Sequence, residues 1–249
     1  MQEIEFKFQV PVKKRKALQK AFTLLKAEPI HLAAQYFDTA DQTLAKHCIA
    51  IRRRQENDEW KQTFKAVNTA KVLSRLELEF DIAPPETTTL DLDNYKDYSA
   101  IYKKLKRALG LPLPTLELLF ETNIQRLRIL QDVGNSTVEI ALDIGKILEA
   151  QNNVDIFEIE FELKQGSIED LIAFIRPWVQ KYQLSLDTHS KSDYGLLAVR
   201  QQSYFSAQYQ TPLVLNRSSS EVEALQSIVA NCLQHLLPNA SSIARQQYS

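Results

Sequence analysis

The first strand-like segment of this chain alternates charged and apolar residues. It reads Glu3-Ile4-Glu5-Phe6-Lys7-Phe8. Because successive side chains of a β-strand point to opposite faces, one face carries two carboxylates and an ammonium, and the other face is apolar. We therefore expect the charged row to face a polar side of a sheet and the apolar row to lie beneath other elements.

Three later segments repeat this alternation. Their charged rows are Arg52/Arg54, Arg75/Glu77/Glu79/Asp81 and Glu158/Glu160/Glu162. Two like charges about 5 Å apart repel by roughly 3 kcal/mol at an effective dielectric constant of about 20, so a face with several carboxylates needs cations. A solvated outer face accounts for any single row. Four rows that combine both signs of charge instead favour an organised polar interior.

The remaining pattern predicts helices outside an antiparallel sheet. Apolar residues at helical spacing predict helices from Val12 to Lys26, from Tyr98 to Leu109 and from Ser167 onward. Further strands are predicted around residues 31–37, 48–54, 59–66, 74–83, 116–130, 137–148 and 154–165. Seven or eight such strands predict an α+β fold, an eight-stranded antiparallel β-barrel or tunnel with helices packed on its outer, apolar surface.

Composition limits the kinds of partner. The 249 residues carry a formal net charge of -1, which argues against a general electrostatic attraction to nucleic acid. Cys48 and Cys232 are too few and too far apart for a zinc site or a disulfide framework. No apolar stretch approaches 18 residues, and the charged first segment is unlike a signal peptide. We therefore expect a cytoplasmic protein with neither a membrane nor a nucleic-acid partner.

The few glycines indicate how an anion would be bound. All five are isolated, so no glycine-rich loop is available to hold phosphate through backbone amides. Side chains must do so, and arginine suits phosphate oxygens well. The candidates on predicted strands are Arg52, Arg54, Lys61, Lys65, Arg75, Arg126 and Arg128. A site of carboxylates without histidine or cysteine favours Mg²⁺ or Mn²⁺.

The first pentad resembles a known family signature. Glu3-Ile4-Glu5-Phe6-Lys7 is similar to the ExExK motif of the CYTH domain, the triphosphate tunnel metalloenzymes. The resemblance covers residues 1–200, with family features in the same order. These are Tyr36-Phe37-Asp38-Thr39, Arg52/Arg54, Thr63-Phe64-Lys65, Arg75 with Glu77/Glu79, Arg126, Ala141-Leu142-Asp143, Glu160/Glu162 and Ser190-Lys191. One departure is Ile124, where many members have a second lysine.

The resemblance implies a tunnel that binds a triphosphate together with Mg²⁺ or Mn²⁺. The implied metal ligands are Glu3, Glu5, Asp143, Glu160 and Glu162. The implied phosphate-binding residues are Lys7, Arg52, Arg54, Lys65, Arg75, Arg126 and Lys191. Four of these residues, Glu3, Glu5, Lys7 and Lys65, would take part in catalysis. Supporting roles are implied for Glu77, Glu79 and Glu158.

The second half is most similar to bacterial inorganic triphosphatases that carry a CHAD domain after the CYTH domain. We accordingly expect a tunnel domain at residues 1–200, a linker at 201–216 and a helical segment at 217–249 that resembles the start of a truncated CHAD domain. Ser218 to Glu221 reads as its helix cap. The apolar stripe of this helix would pack on the tunnel domain or on another subunit, so a homodimer is one expectation.

Three functions follow from these observations. The leading one is metal-dependent hydrolysis of inorganic triphosphate to pyrophosphate and phosphate. A second is a class IV-type adenylyl cyclase or a thiamine or nucleoside triphosphatase, because one fold serves several reactions. A third is a polyphosphate-binding module without catalytic activity.

Overall fold

The computed structural model describes residues 2–67, 74–149, 152–215 and 218–246, without the side chains of residues 2, 3, 67, 74 and 75. The strands are β1 (Gln2–Gln9), β2 (Glu28–Asp38), β3 (Ile49–Glu56), β4 (Glu59–Val67), β5 (Ser74–Ile82), β6 (Glu117–Val133), β7 (Ser136–Leu148), β8 (Val154–Gln165) and β9 (Ser185–Leu186). The helices are α1 (Val12–Leu24), α2 (Thr43–Lys46), α3 (Ser99–Leu109), α4 (Ile168–Tyr182), α5 (Lys191–Val199) and α6 (Glu221–Ala244). A 3₁₀ turn spans Asp93–Tyr95.

All paired strands are antiparallel and belong to one sheet. Their order is β5-β4-β3-β2-β6-β7-β8-β1-β9. A short pairing of β1 with β5, through Gln2–Ile4 and Ser74–Leu76, joins the two ends of the eight long strands. The predicted α+β barrel fold is thereby confirmed, and the two-residue strand β9 is an addition beside β1.

Two glycines are required where β6 and β7 meet. Gly134 has φ of 59° in the two-residue turn that joins these strands, a backbone conformation typical of tight hairpins. A Cβ at Gly145 would lie 2.1 Å from the carbonyl oxygen of Asn123 on β6. Any larger residue at position 145 would therefore force this strand pair apart.

The apolar row of β1 faces outward, as predicted. Phe8 is buried in a cluster with Phe22 of α1 and Leu171 of α4, and Ile4 and Phe6 pack against the same cluster. A second outer cluster lies beneath α2 and α3 and includes the buried residues Ile51, Phe64 and Leu105. Burial of these apolar side chains holds the helices against the barrel and leaves the opposite strand faces for the interior.

Part of the interior is also apolar, which the alternation of charge did not predict. Leu32 pairs with Ile124 across β2 and β6, and both share a strand face with arginines that line the interior. The Leu32 and Ile124 side chains form a buried cluster with Tyr194 of α5. A Cβ at Gly195 would lie 2.2 Å from the Phe120 ring, so α5 packs closely on this cluster. Ile124, the one departure from the resemblance noted above, thus makes a buried apolar contact.

The C-terminal helix α6 starts two residues later than predicted. Its cap is Ser220, which exchanges hydrogen bonds with Glu223 in a capping box, because three consecutive serines offer alternative caps. Much of its apolar stripe is exposed, for example Val222 and Leu225. Its far end is different, since Ser241 is fully buried against β9. None of the described helices combines the length and hydropathy needed to cross a membrane.

Candidate functional site

A cavity of about 730 Å³ runs through the charged part of the barrel interior. Thirteen of the charged residues proposed from the sequence line it: Glu5, Lys7, Arg52, Arg54, Lys61, Lys65, Glu77, Glu79, Arg126, Arg128, Glu160, Glu162 and Lys191. Asp143 and Glu158 lie directly behind this lining and contact it through ion pairs. The side chains of Glu3 and Arg75 lie outside the described residues.

Strand register brings these residues together. Glu5 pairs with Glu162, and Lys7 with Glu160, across β1 and β8. Asp143 pairs with Glu158 across β7 and β8. Directly opposed residues of an antiparallel pair project on the same face of the sheet. The residues of one strand that face the interior therefore identify the residues of the neighbouring strand that do so. The predicted inward direction of Glu5 and Lys7 is confirmed.

Three carboxylates form a compact cluster on this wall of the cavity. Asp143, Glu158 and Glu160 each place a ligand oxygen within 4.8 Å of the other two. Asp143 and Glu158 are fully buried. Such a group is stable only if cations lie close to it, because the mutual repulsion of buried carboxylates is large.

Lys191, the first residue of α5, supplies one of those cations. Its Nζ lies 2.7 Å from Asp143, 2.5 Å from Glu158 and 2.9 Å from Glu160. Burial favours the neutral amine, but the surrounding carboxylates outweigh it and hold the pKa of Lys191 well above its ordinary value. The ammonium therefore remains charged at the centre of the carboxylate cluster.

Arg126 supplies the second cation. Its Nε lies 2.7 Å from one oxygen of Asp143, and a terminal nitrogen lies 2.7 Å from the other oxygen. The same terminal nitrogen lies 2.5 Å from Glu160. Burial alone would raise the pKa of Asp143, but the Arg126 guanidinium and the Lys191 ammonium outweigh it and lower that pKa. The same two cations overcome the effect of burial at Glu160, whose pKa lies well below its ordinary value.

Lys7 connects this cluster to the loop that precedes α5. Its Nζ lies 3.4 Å from Glu158 and donates to the carbonyl oxygen of His189. It also lies 4.0 Å from the buried carboxylate of Asp187. Lys7 is thus held between two carboxylates and a backbone carbonyl, and its ammonium faces the cavity.

The opposite wall is formed by β3, β4 and β5. Arg54 lies 3.3 Å from both Glu56 and Glu79, and Lys65 lies 2.8 Å from Glu77. Arg52 instead lies 3.4 Å from the hydroxyl oxygens of Tyr36 and Thr63. No carboxylate among the described side chains lies within 4 Å of the Arg52 guanidinium, although the charges of Glu77 and Glu79 act on it, and Arg52 lines the cavity.

The carboxylates that face the cavity fit a hard divalent cation. Asp143, Glu158 and Glu160 form one cluster whose centre is taken by the Lys191 ammonium, and Glu5 and Glu162 join Glu160 in lining the cavity on the adjoining strand pair. Oxygen-only ligands suit Mg²⁺ and Mn²⁺. Glu158, given only a supporting role from the sequence, is therefore a full member of the carboxylate cluster.

Some residues of the site were given no role from the sequence, although Tyr36 is among the residues that carry the family resemblance. The Tyr36 hydroxyl contacts Arg52, and Glu139 lies 3.9 Å from Arg126. Glu139 could have been found, because it shares the alternation of β7 with Asp143. Asp187 could not, since it lies in a loop without a periodic pattern and meets Lys7 only through the tertiary fold.

Comparison with known proteins gives a family and a curated relative. The sequence model of the CYTH domain matches residues 1–193. An inorganic triphosphatase from Haemophilus influenzae is 32% identical over 201 residues, which are 79% of this chain and 55% of the relative. The chain therefore spans about half the length of that curated relative.

Two solved structures share the fold. A provisionally assigned adenylate cyclase from Bacillus halodurans has a TM-score of 0.55 and 21% identity, covering 77% of this chain and 96% of its own. A provisionally assigned adenylyl cyclase from Hippeastrum, described as having a dominant triphosphatase activity, has a TM-score of 0.51 and 18% identity, covering 80% and 96%. At these identities the similarity shows the fold alone.

Proposed function

Since the chain belongs to the CYTH family, we propose that its barrel cavity is the active site of a metal-dependent inorganic triphosphatase. The reaction would convert triphosphate and water to pyrophosphate and phosphate. The curated triphosphatase relative supports this choice of substrate over other triphosphates.

One observation carries the proposal: a single cavity is lined mainly by carboxylates on one side and by cations on the other, each with partners of the opposite charge. In the carboxylate wall, Glu160 and Glu162 line the cavity together with Lys7 and Lys191; in the cation wall, Arg52, Arg54 and Lys65 line it together with Glu77 and Glu79. A triphosphate is a dense polyanion without apolar parts, and guanidinium groups bind its oxygens in bidentate geometry. Lys7, Arg126 and Lys191 offset part of the carboxylate charge on that side, and a bound divalent cation would offset more of it.

The protein's own residues would act mainly by positioning and by neutralising charge. Arg52 is the cation best placed to bind a phosphate group, because its guanidinium has hydroxyl partners and none of the described carboxylates lies within 4 Å of it. Glu79 pairs with Arg54 and Glu77 pairs with Lys65, so the two carboxylates orient these cations. This is consistent with the supporting roles expected of Glu77 and Glu79. Fixed cations around a transferring phosphoryl group stabilise its charge without reorganising in the transition state.

The carboxylate wall would hold Mg²⁺ or Mn²⁺. Glu160 is the central candidate ligand, with Glu5 and Glu162 from the adjoining rows. Glu158 instead lies behind the lining and pairs with Lys7 and Lys191; the side chain of Glu3 lies outside the described residues. A bound divalent ion would neutralise phosphate oxygens and polarise the reacting group. Asp143 is better placed to orient Arg126, because both of its oxygens accept hydrogen bonds from that guanidinium.

The test is phosphate release from inorganic triphosphate by purified protein, with Mg²⁺, with Mn²⁺ and with chelator. ATP, thiamine triphosphate and long-chain polyphosphate serve as comparison substrates. We expect the highest kcat/KM for inorganic triphosphate and no turnover with chelator. Folded protein that releases no phosphate from triphosphate with either metal would exclude the proposal.

The same panel separates the other functions. Formation of cyclic AMP from ATP would identify a cyclase. Tight calorimetric binding of triphosphate without turnover, unaffected by Glu5→Gln, would identify a binding module.

A further inference from the structure

The loop between β9 and α5, residues 187–190, is held between the catalytic cavity and the end of the C-terminal helix. On the cavity side, the Asp187 amide donates to the Lys7 carbonyl at 2.8 Å, and the carbonyl of His189 accepts from the Lys7 ammonium. Lys191 follows this loop immediately as the first residue of α5. The loop therefore contacts both the backbone and the ammonium of Lys7 and leads directly into Lys191.

On the other side, α6 contacts this loop through Ser241. The Thr188 amide donates to Ser241 Oγ at 3.0 Å, and the side-chain amide of Gln9 donates to the Ser241 carbonyl at 3.0 Å. Ser241 is fully buried, so these hydrogen bonds are shielded from water. This contact joins β1, the loop and α6 at one point.

Arg245 makes a second contact, one residue beyond α6. Its guanidinium carbon lies 3.9 Å from the centre of the Tyr194 ring, and its Nε lies 3.9 Å from Asp187. The Tyr194 hydroxyl donates to Asp187 at 2.9 Å. Burial and the neighbouring Asp187 charge raise the pKa of Tyr194, so its hydroxyl stays protonated and keeps this hydrogen bond.

We propose that Ser241 and Arg245 are positioning residues, and that docking of the α6 end on residues 187–190 fixes the Lys7 ammonium for triphosphate binding. Neither residue lines the cavity, so both act through the loop. The consequence for binding rests on the proposed function, whereas the effect on the loop does not. By this inference the C-terminal helix contributes to the site, and a change in how α6 docks on residues 187–190 changes the affinity for triphosphate.

The test compares Arg245→Ala and Ser241→Ala with Ile243→Ala. Ile243 lies in the same helical turn and is exposed, so it controls for changes at the α6 end. Hydrogen exchange of the amides of residues 187–189 reports docking without any substrate. Calorimetric binding of inorganic triphosphate and steady-state KM and kcat report the consequence.

We expect Arg245→Ala and Ser241→Ala to speed exchange at residues 187–189 and to raise KM for triphosphate about tenfold, at the lower end of the losses that follow removal of outer-shell contacts in metal sites. The change in kcat should be smaller, because neither residue lines the cavity. Arg245→Lys should restore part of the affinity, because it retains the cation over Tyr194. Ile243→Ala should match wild type.

Unchanged exchange in both variants would overturn the docking role. Faster exchange with unchanged triphosphate affinity would overturn the positioning of Lys7. If Arg245→Ala does not fold, Ser241→Ala decides, because it removes a single hydroxyl. A wild-type protein that binds no triphosphate would defeat the proposed function, while the exchange data would still decide the docking.

Discussion

Arg126 and Asp143 form a bidentate ion pair inside the barrel, with both nitrogen-oxygen distances at 2.7 Å. The pair joins opposed residues of β6 and β7, so the sheet itself fixes the approach of the two groups. Lys191 reaches the same carboxylate from α5. Asp143 thus ties a strand and a helix to one point of the cavity wall.

Asp143→Asn should strongly destabilise the fold. The substitution leaves two buried cations with one carboxylate fewer, and removal of one partner from a buried pair typically costs about 3 to 5 kcal/mol. Asp155→Asn is a matched control, because its side chain is 78% exposed and its pairing with Lys146 is at the surface. Denaturant unfolding of the two variants measures the difference. Equal, small losses would contradict the buried-pair assignment.

The free energy of unfolding should fall at acidic pH because of Asp143 and Glu160. Both carboxyls have a lower pKa in the folded chain than in the unfolded chain, so the unfolded state binds more protons as the pH falls through their ordinary values of about 4. Their contribution is present in full above that range and is lost as the pH falls towards the folded pKa values. Urea midpoints from about pH 6 down to about pH 3 should fall, and less steeply in Asp143→Asn. A slope unchanged by that substitution would contradict this assignment.

Arg52→Ala should weaken triphosphate binding about 10- to 100-fold. Hydrogen bonds to charged groups typically contribute about 1.5 to 3 kcal/mol, and about 1.4 kcal/mol corresponds to a tenfold change in affinity. Arg53→Ala is the matched control: it is the next residue of β3, and its guanidinium instead donates to the Thr87 carbonyl and lies over the Phe37 ring. Calorimetric titration with triphosphate compares them. Equal effects of the two variants on triphosphate affinity would contradict the assignment of Arg52 to the interior and of Arg53 to the outer face.

The contrast between these neighbouring arginines also shows what the sequence can predict. Strand alternation separates Arg52 from Arg53, and Lys7 from Phe6 and Phe8, because the side-chain period of a strand is fixed by backbone geometry. Once the inward-facing residues of one strand are known, strand pairing identifies the inward-facing residues of its neighbours. Most residues of the cavity can be assigned in this way. The barrel and the mixed charge of its interior were therefore predictable.

The partners of Lys191 were not predictable. Its position on α5 depends on Tyr194 and Gly195, which pack on an apolar cluster built from distant strands. Sequence similarity indicated a phosphate-binding lysine, whereas its ammonium lies among three carboxylates. Long-range packing of this kind leaves no local periodic signal, and the same holds for Asp187.

Lys191→Met should make stability depend on divalent metal. Loss of the ammonium leaves Asp143, Glu158 and Glu160 close together with reduced compensation, and a divalent cation can take over that role. We expect a lower melting temperature in chelator and a larger rise on adding Mn²⁺ than in wild type. Lys146→Met, at an exposed surface pair, should show neither change. A variant as stable as wild type in chelator would contradict the proposed charge compensation.

The central claim is tested most directly by a ³¹P NMR time course of inorganic triphosphate with wild-type protein and Mg²⁺ or Mn²⁺. We predict that the triphosphate signals disappear while pyrophosphate and phosphate appear in equal amounts. Glu160→Gln should leave the triphosphate intact, because this substitution removes the central carboxylate of the cluster. Triphosphate signals that stay constant in the presence of folded wild-type protein and either metal would contradict the account.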